Sequence, residues 1–132
     1  MKKKSKLARG KENPRSNYWR TKADTLWSEI IRSAGVCMIN NGDCKGRLDP
    51  HHLINRSVGT MRHNLCVGVC LCSFHHVFSP RLSAHGAPLA FADWLQRNEP
   101  ERWQFCQEHK YDTSKPDYKA AYEFLNQIKE TQ

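Results

Sequence analysis

Cys37 and Cys44, with Cys72-Ser73-Phe74-His75 further along, constrain this chain more than any other feature of its sequence. A Cys-x-x-His pair lets both side chains turn toward one ion, and Zn²⁺ takes thiolates and imidazole in a closed tetrahedron. Cys37 and Cys44 flank a loop of turn formers, Asn40, Asn41, Gly42 and Asp43, so two short segments can supply four ligands. The six cysteines accompany no secretory signal and no apolar run approaching the roughly 20 residues of a membrane span. The chain therefore reads as cytoplasmic and soluble, and cysteines in a reducing compartment point to metal ligation rather than disulfides. The spacing predicts a structural zinc site of Cys37, Cys44, Cys72 and His75. Cys70 shares the strand parity of Cys72 and could replace it; Cys72 is preferred because it lies in the Cys-x-x-His pair. Cys66, Cys70 and Cys106 are then expected as core thiols.

The sequence around these ligands reads as a single α+β unit. Residues 1–16 hold seven basic side chains and one acidic, lack apolar periodicity, and are expected to form a flexible basic arm ending at a helix cap, Ser16 or Asn17. From 18 to 34, Leu26, Trp27, Ile30, Ile31 and Ala34 recur at helical steps, and Gly35 ends the helix. Residues 47–54 and 67–71 favour extended structure, with an irregular loop over 55–66 between them. The segment SFHHVFS predicts a helix ended by Pro80. Three more helices are expected over 88–96, 100–109 and 116–129, each with proline at its first position. Their aromatic residues recur at helical spacing without interleaved basic residues, which predicts core packing rather than base stacking.

Two histidine pairs, His51-His52 and His75-His76, accompany the zinc ligands. Adjacent strand residues point to opposite faces, so His51 and His52 are expected to do different jobs. One imidazole can bind a divalent cation at a phosphate while its neighbour takes a proton from attacking water. The net charge is +8, with +6 over residues 1–16, +4 over 17–92 and −2 over 93–132. A polyanion, nucleic acid foremost, is the partner such a distribution favours.

Asp49-Pro50-His51-His52-Leu53-Ile54, Arg56-Ser57 and Leu71-Cys72-Ser73-Phe74-His75-His76 resemble the HNH endonucleases. The resemblance covers about residues 36–95, including Ala84-His85-Gly86 and Phe91-x-x-Trp94 of small phage-type members. It implies a ββα-metal (His-Me finger) core at about 47–80 beside a structural zinc, in a nuclease domain over 17–132 with a helical extension at about 87–130. By that likeness His51 and His76 would ligate a catalytic Mg²⁺, Mn²⁺ or similar ion, and His52 would be the general base. Cys37, Cys44, Cys72 and His75 would hold the zinc, His75 standing where the family more often has Cys. Two positions depart from the pattern. Val67 stands where the family's middle Asn falls, with Asn64 the nearest substitute. Pro80 stands where some members carry a third metal ligand, with His85 the substitute. The implied reaction is DNA hydrolysis leaving 5′-phosphate and 3′-hydroxyl ends. Arg56 and Arg62, then Lys45 and Arg47, are candidates for DNA contacts. DNA is the expected partner, with no membrane, and the likeness suggests phage terminase or other packaging or recombination proteins as further partners. The rival reading is a non-catalytic, zinc-stabilised nucleic-acid-binding module. A thiol redox protein is disfavoured because no Cys-x-x-Cys pair exists, and a metal-free triad because no Gly-x-Ser-x-Gly elbow does.

Overall fold

A computed structural model describes residues 2–132. The fold is mixed α+β: helices α1 (Lys6–Glu12) and α2 (Asn17–Arg32), strands β1 (Leu48–His52) and β2 (Gly68–Cys72), a single π turn at Phe74–Phe78, and helices α3 (Pro88–Asn98), α4 (Pro100–His109) and α5 (Tyr118–Thr131). No helix among the described residues is long and apolar enough to cross a membrane.

The strands pair antiparallel, with His51 opposite Val69 and His52 opposite Gly68. Every residue of β2 is buried, because the hairpin is covered on both sides. Ala23, Leu26, Trp27 and Ile31 of α2 pack with Cys70 and with Leu125 of α5. Elsewhere Val69, Leu71 and Cys72 join Cys37, Ile39 and Phe91 of α3. A third cluster, Ile54, Met61, Val67 and Cys106, seats the long loop against α4. Pro50 is tolerated within β1 because a two-stranded ribbon leaves one side of each strand unpaired.

Three expectations need correction. Residues 6–12, expected within a flexible arm, are helical: Ser5 Oγ accepts the Ala8 N–H, and α1 is tied back by Ser16 Oγ donating to Gly10 O and Trp19 Nε1 to Lys11 O. Pro116 lies outside α5, whose N-cap is Asp117, accepting from Ala120 N at 2.9 Å. Cys66 is exposed, because it lies in a 3₁₀ turn (Leu65–Val67) before β2 rather than in the strand. Cys70 and Cys106 are buried as expected.

Gly68 sets how closely α2 approaches the sheet. A methyl group there would stand 2.5 Å from Trp27 Cζ2 and 2.5 Å from Ile31 Cδ1, and the indole cannot swing aside from a close-packed core. Gly68→Ala is expected to cost about 1–3 kcal/mol by overpacking. Gly42→Ala, where nothing lies within 4 Å of the added methyl, should leave stability unchanged. Urea denaturation of both variants checks this; equal midpoints would refute the close-approach account.

Candidate metal centres and the histidine cluster

The first centre gathers Cys37, Cys44, Cys72 and His75. Cys37 and Cys44 bracket the 38–43 loop, Cys72 ends β2, and His75 turns back from the π turn. The three sulfurs lie 3.8, 3.5 and 3.2 Å from His75 Nδ1. A tetrahedral zinc with ordinary Zn–S and Zn–N bond lengths sets that separation at about 3.6 Å. The donor set and its closure thus fit Zn²⁺, with no ligand position left open. Burial, with the Cys37 and Cys72 thiols close by, pushes the Cys44 thiol up to about 11, although the Asn41 backbone N–H opposes the shift. Burial also acts to raise Cys72, but N–H groups of His75 and Lys45 and the thiols of Cys37 and Cys44 bring it below the usual thiol range. Three crowded thiols cannot all ionise easily alone, and a bound cation removes that conflict. Cys70 belongs to the α2-facing cluster and is not among these ligands.

The second centre gathers His51, His76 and His85, whose ligand atoms all lie within 4.8 Å of one another. His51 comes from β1 and His76 from the π turn, which Ser79 closes by donating its N–H to Phe74 O at 2.8 Å. Such wide turns recur at functional sites. His85 arrives by a fold-back: Ala84 N donates to His75 O and His85 N to His76 O, both at 2.9 Å. Ser83, fully buried, fixes that loop by donating to Ser79 O and accepting from Gly86 N. Asp49 Oδ2 accepts from His76 Nδ1 at 3.1 Å, which leaves the Nε2 lone pair free to bind a metal. Asp49 was not singled out from sequence, although strand parity places it on the face of His51. Burial, then the neighbouring His76 and His85, pushes His51 down to about 3, so it is neutral and able to ligate. Three imidazoles with positions left over suit a divalent transition ion.

His52 lies outside both clusters. Its ring stacks on Trp27, centroids 3.9 Å apart and planes 11° from parallel, and its Nε2 donates to Arg62 O at 2.9 Å. A carbonyl only accepts, so the proton sits on Nε2 and Nδ1 carries the lone pair. Burial lowers the His52 pKa; the Arg62 carbonyl opposes this, and the charges of Arg56 and Arg62 reinforce it. Asn64 makes no hydrogen bond to His52: its side chain accepts from Cys66 N at the start of the 3₁₀ turn, and its carbonyl accepts from Trp27 Nε1.

Of the basic candidates, Arg56 is exposed. Lys45 sits over the Phe74 ring, and Arg47 is exposed but paired with Asp49 at 2.9 Å. Arg62 differs: Nε and Nη2 each donate to the Asp24 carboxylate at 2.8 Å, so the fork that would meet a phosphate is engaged. Asp24 and Trp27 on α2 were not identified from sequence as site residues; only the helical spacing of Trp27 pointed inward. No protein family, curated protein or solved structure matches the chain.

Proposed function

We propose that this chain is a metal-dependent DNA endonuclease of the HNH type, with a ββα-metal core stabilised by zinc. One observation carries the reading. Three histidines from a strand, a turn and a fold-back loop converge, and the strand residue next to one of them is a histidine whose tautomer is fixed with Nδ1 free. His51, His76 and His85 would hold a divalent cation, which when bound would offset charge on a nonbridging phosphate oxygen and on the leaving 3′-oxygen. Asp49 orients His76. His52 accepts through Nδ1 the proton of a water attacking in line, and a neutral imidazole at pH 7 is the form that can do so. The products carry 5′-phosphate and 3′-hydroxyl ends. A net charge of +8 with a basic N-terminal segment supports a polyanionic substrate.

The rival, a non-catalytic zinc-stabilised nucleic-acid-binding module, draws support from Val67, which is fully buried where the family carries a polar Asn. In this chain a backbone bond, Leu53 N–H to Val67 O at 2.7 Å, ties the end of β1 to the loop at that point.

Supercoiled-plasmid cleavage by the zinc-loaded full chain tests the proposal. Nicking or linearisation is expected with a divalent ion and none with EDTA. The all-nitrogen donor set predicts half-saturation at lower Mn²⁺ than Mg²⁺. His85→Ala should raise the half-saturating concentration about tenfold or more while leaving DNA affinity unchanged. Absence of cleavage with every divalent ion, in protein that keeps its zinc and binds DNA, would sink the nuclease in favour of the binding module.

A further inference from the structure

Arg62, His63 and Asn64 are consecutive in the long loop between β1 and β2, and all three are hydrogen-bonded to one face of α2. Asp24 accepts both nitrogens of the Arg62 fork at 2.8 Å and His63 Nε2 at 2.6 Å. One helical turn later, Trp27 Nε1 donates to Asn64 O at 3.2 Å. The backbone bonds within this stretch, such as Met61 N to Val58 O and Asn64 N to Met61 O, join only near neighbours in the loop. The His63 ring is buried, and its Nδ1 has no hydrogen-bond partner among the described residues, so Asp24 is its polar anchor. Arg62 and Trp27 also hold the ring of His52, the one through its carbonyl and the other through its indole face.

We propose that Asp24 and Trp27 are positioning residues for the His52 base: Asp24 fixes the Arg62 carbonyl that sets the His52 tautomer, and Trp27 fixes the ring plane. The inference rests on the nuclease reading for its consequence and on these contacts for its geometry. An imidazole acting as base must be held in two respects, the plane of its ring and the rotation of the ring within that plane. A flat aromatic neighbour supplies the first restraint and a directed acceptor the second. The acceptor belongs to a loop, and a loop carbonyl is only as fixed as its anchors, whereas side chains on a packed helix are rigidly placed. Trp27 is 1% exposed, and Gly68 opposite His52 leaves the space that its indole fills. A carboxylate near a DNA-binding surface would repel phosphate, so Asp24 is explicable where two cationic or N–H donors engage it fully. The same bonds turn the Arg62 side chain away from phosphate recognition and toward shaping the loop.

The test uses the zinc-loaded full chain with Asp24→Asn, which keeps the side-chain shape but cannot accept the fork at both positions. The expected result is a roughly 10- to 100-fold fall in kcat, the scale of a small misplacement of a catalytic group. KM for DNA and the half-saturating metal concentration should stay within about twofold. The ¹⁵N spectrum of the His52 imidazole should move from the Nε2–H form toward a mixture of tautomers. Trp27→Phe, which retains a flat ring, should keep most of kcat, and Trp27→Leu should not. Unchanged kcat and an unchanged His52 spectrum in folded Asp24→Asn would overturn the proposal. A rise in KM alone would also overturn it, by assigning Asp24 or Arg62 to DNA binding. If the wild-type chain cleaves nothing, the nuclease reading has failed, and the His52 spectrum still decides whether Asp24 holds the ring. Should Asp24→Asn not fold, Arg62→Lys keeps the charge, gives up the fork and carries the same expectations.

Discussion

Replacing His52 with alanine is expected to lower the rate of DNA cleavage by roughly two to four orders of magnitude, the usual contribution of a positioned general base. Alanine also removes the stack on Trp27 and the hydrogen bond to Arg62 O, worth about 1 kcal/mol each. Loss of activity in that variant alone would therefore mix chemistry with loosened packing. His52→Gln separates them, because its amide can still donate to the Arg62 carbonyl but has no basic nitrogen to take a proton. Both variants should lose cleavage while keeping their zinc, their DNA affinity and, for glutamine, most of their stability. Cleavage within about threefold of wild type in either one removes His52 from the base role. Burial keeps this imidazole neutral at pH 7, so the wild-type rate should not need alkaline pH to appear.

Elements that bury one regular face were legible in the sequence. The spacing of Leu26, Trp27, Ile30 and Ile31 gives α2 within two residues at each end, because such a stripe has one good burial, against the sheet and α5. The strand, loop, strand order follows from short extended runs separated by turn formers, whereas the helix expected over SFHHVFS is only a single π turn, Phe74–Phe78. The Cys37, Cys44, Cys72 and His75 cluster, which could hold zinc, was legible because a Cys-x-x-His pair and a bracketed turn bring side chains together locally, whatever the rest of the chain does. Contacts made across long stretches of sequence were not. Asp24 meets Arg62 and His63 through the docking of a helix on a loop, and no spacing rule encodes that docking. His85 was named only through the family likeness, as the substitute for the ligand missing at Pro80; that it reaches His51 and His76 depends on Ser83 turning the loop after Pro80 back on itself, an interior hydrogen-bond arrangement that no spacing encodes. The α1 helix escaped notice for a related reason: seven residues with none buried are too few to fold alone, and contacts with α2 hold them.

With zinc held by the Cys37, Cys44, Cys72 and His75 cluster as proposed, Cys72→Ser is expected to abolish tight zinc binding and much of the thermal stability. Apparent zinc binding energies in small thiolate sites are about 10–16 kcal/mol, comparable with the whole stability of a domain, so removing one of four ligands is a folding defect and not a local one. Cys72 also joins the end of β2 to the π turn that carries His76, and it is buried among Leu71, Val69 and Phe91. A weakened zinc site should therefore loosen the histidine cluster, and cleavage should fall together with zinc content. Cys70→Ala is the matched control. Cys70 lies two residues away on the same strand and is equally buried, but it packs against α2 and Leu125, so its loss should cost only about 1 kcal/mol of packing and no zinc. Zinc content by mass spectrometry and thermal unfolding of both variants decide the assignment. Normal zinc and a normal Tm in Cys72→Ser, or loss of zinc in Cys70→Ala, would reject Cys72 as the ligand and with it the coupling between the zinc centre and the histidine cluster.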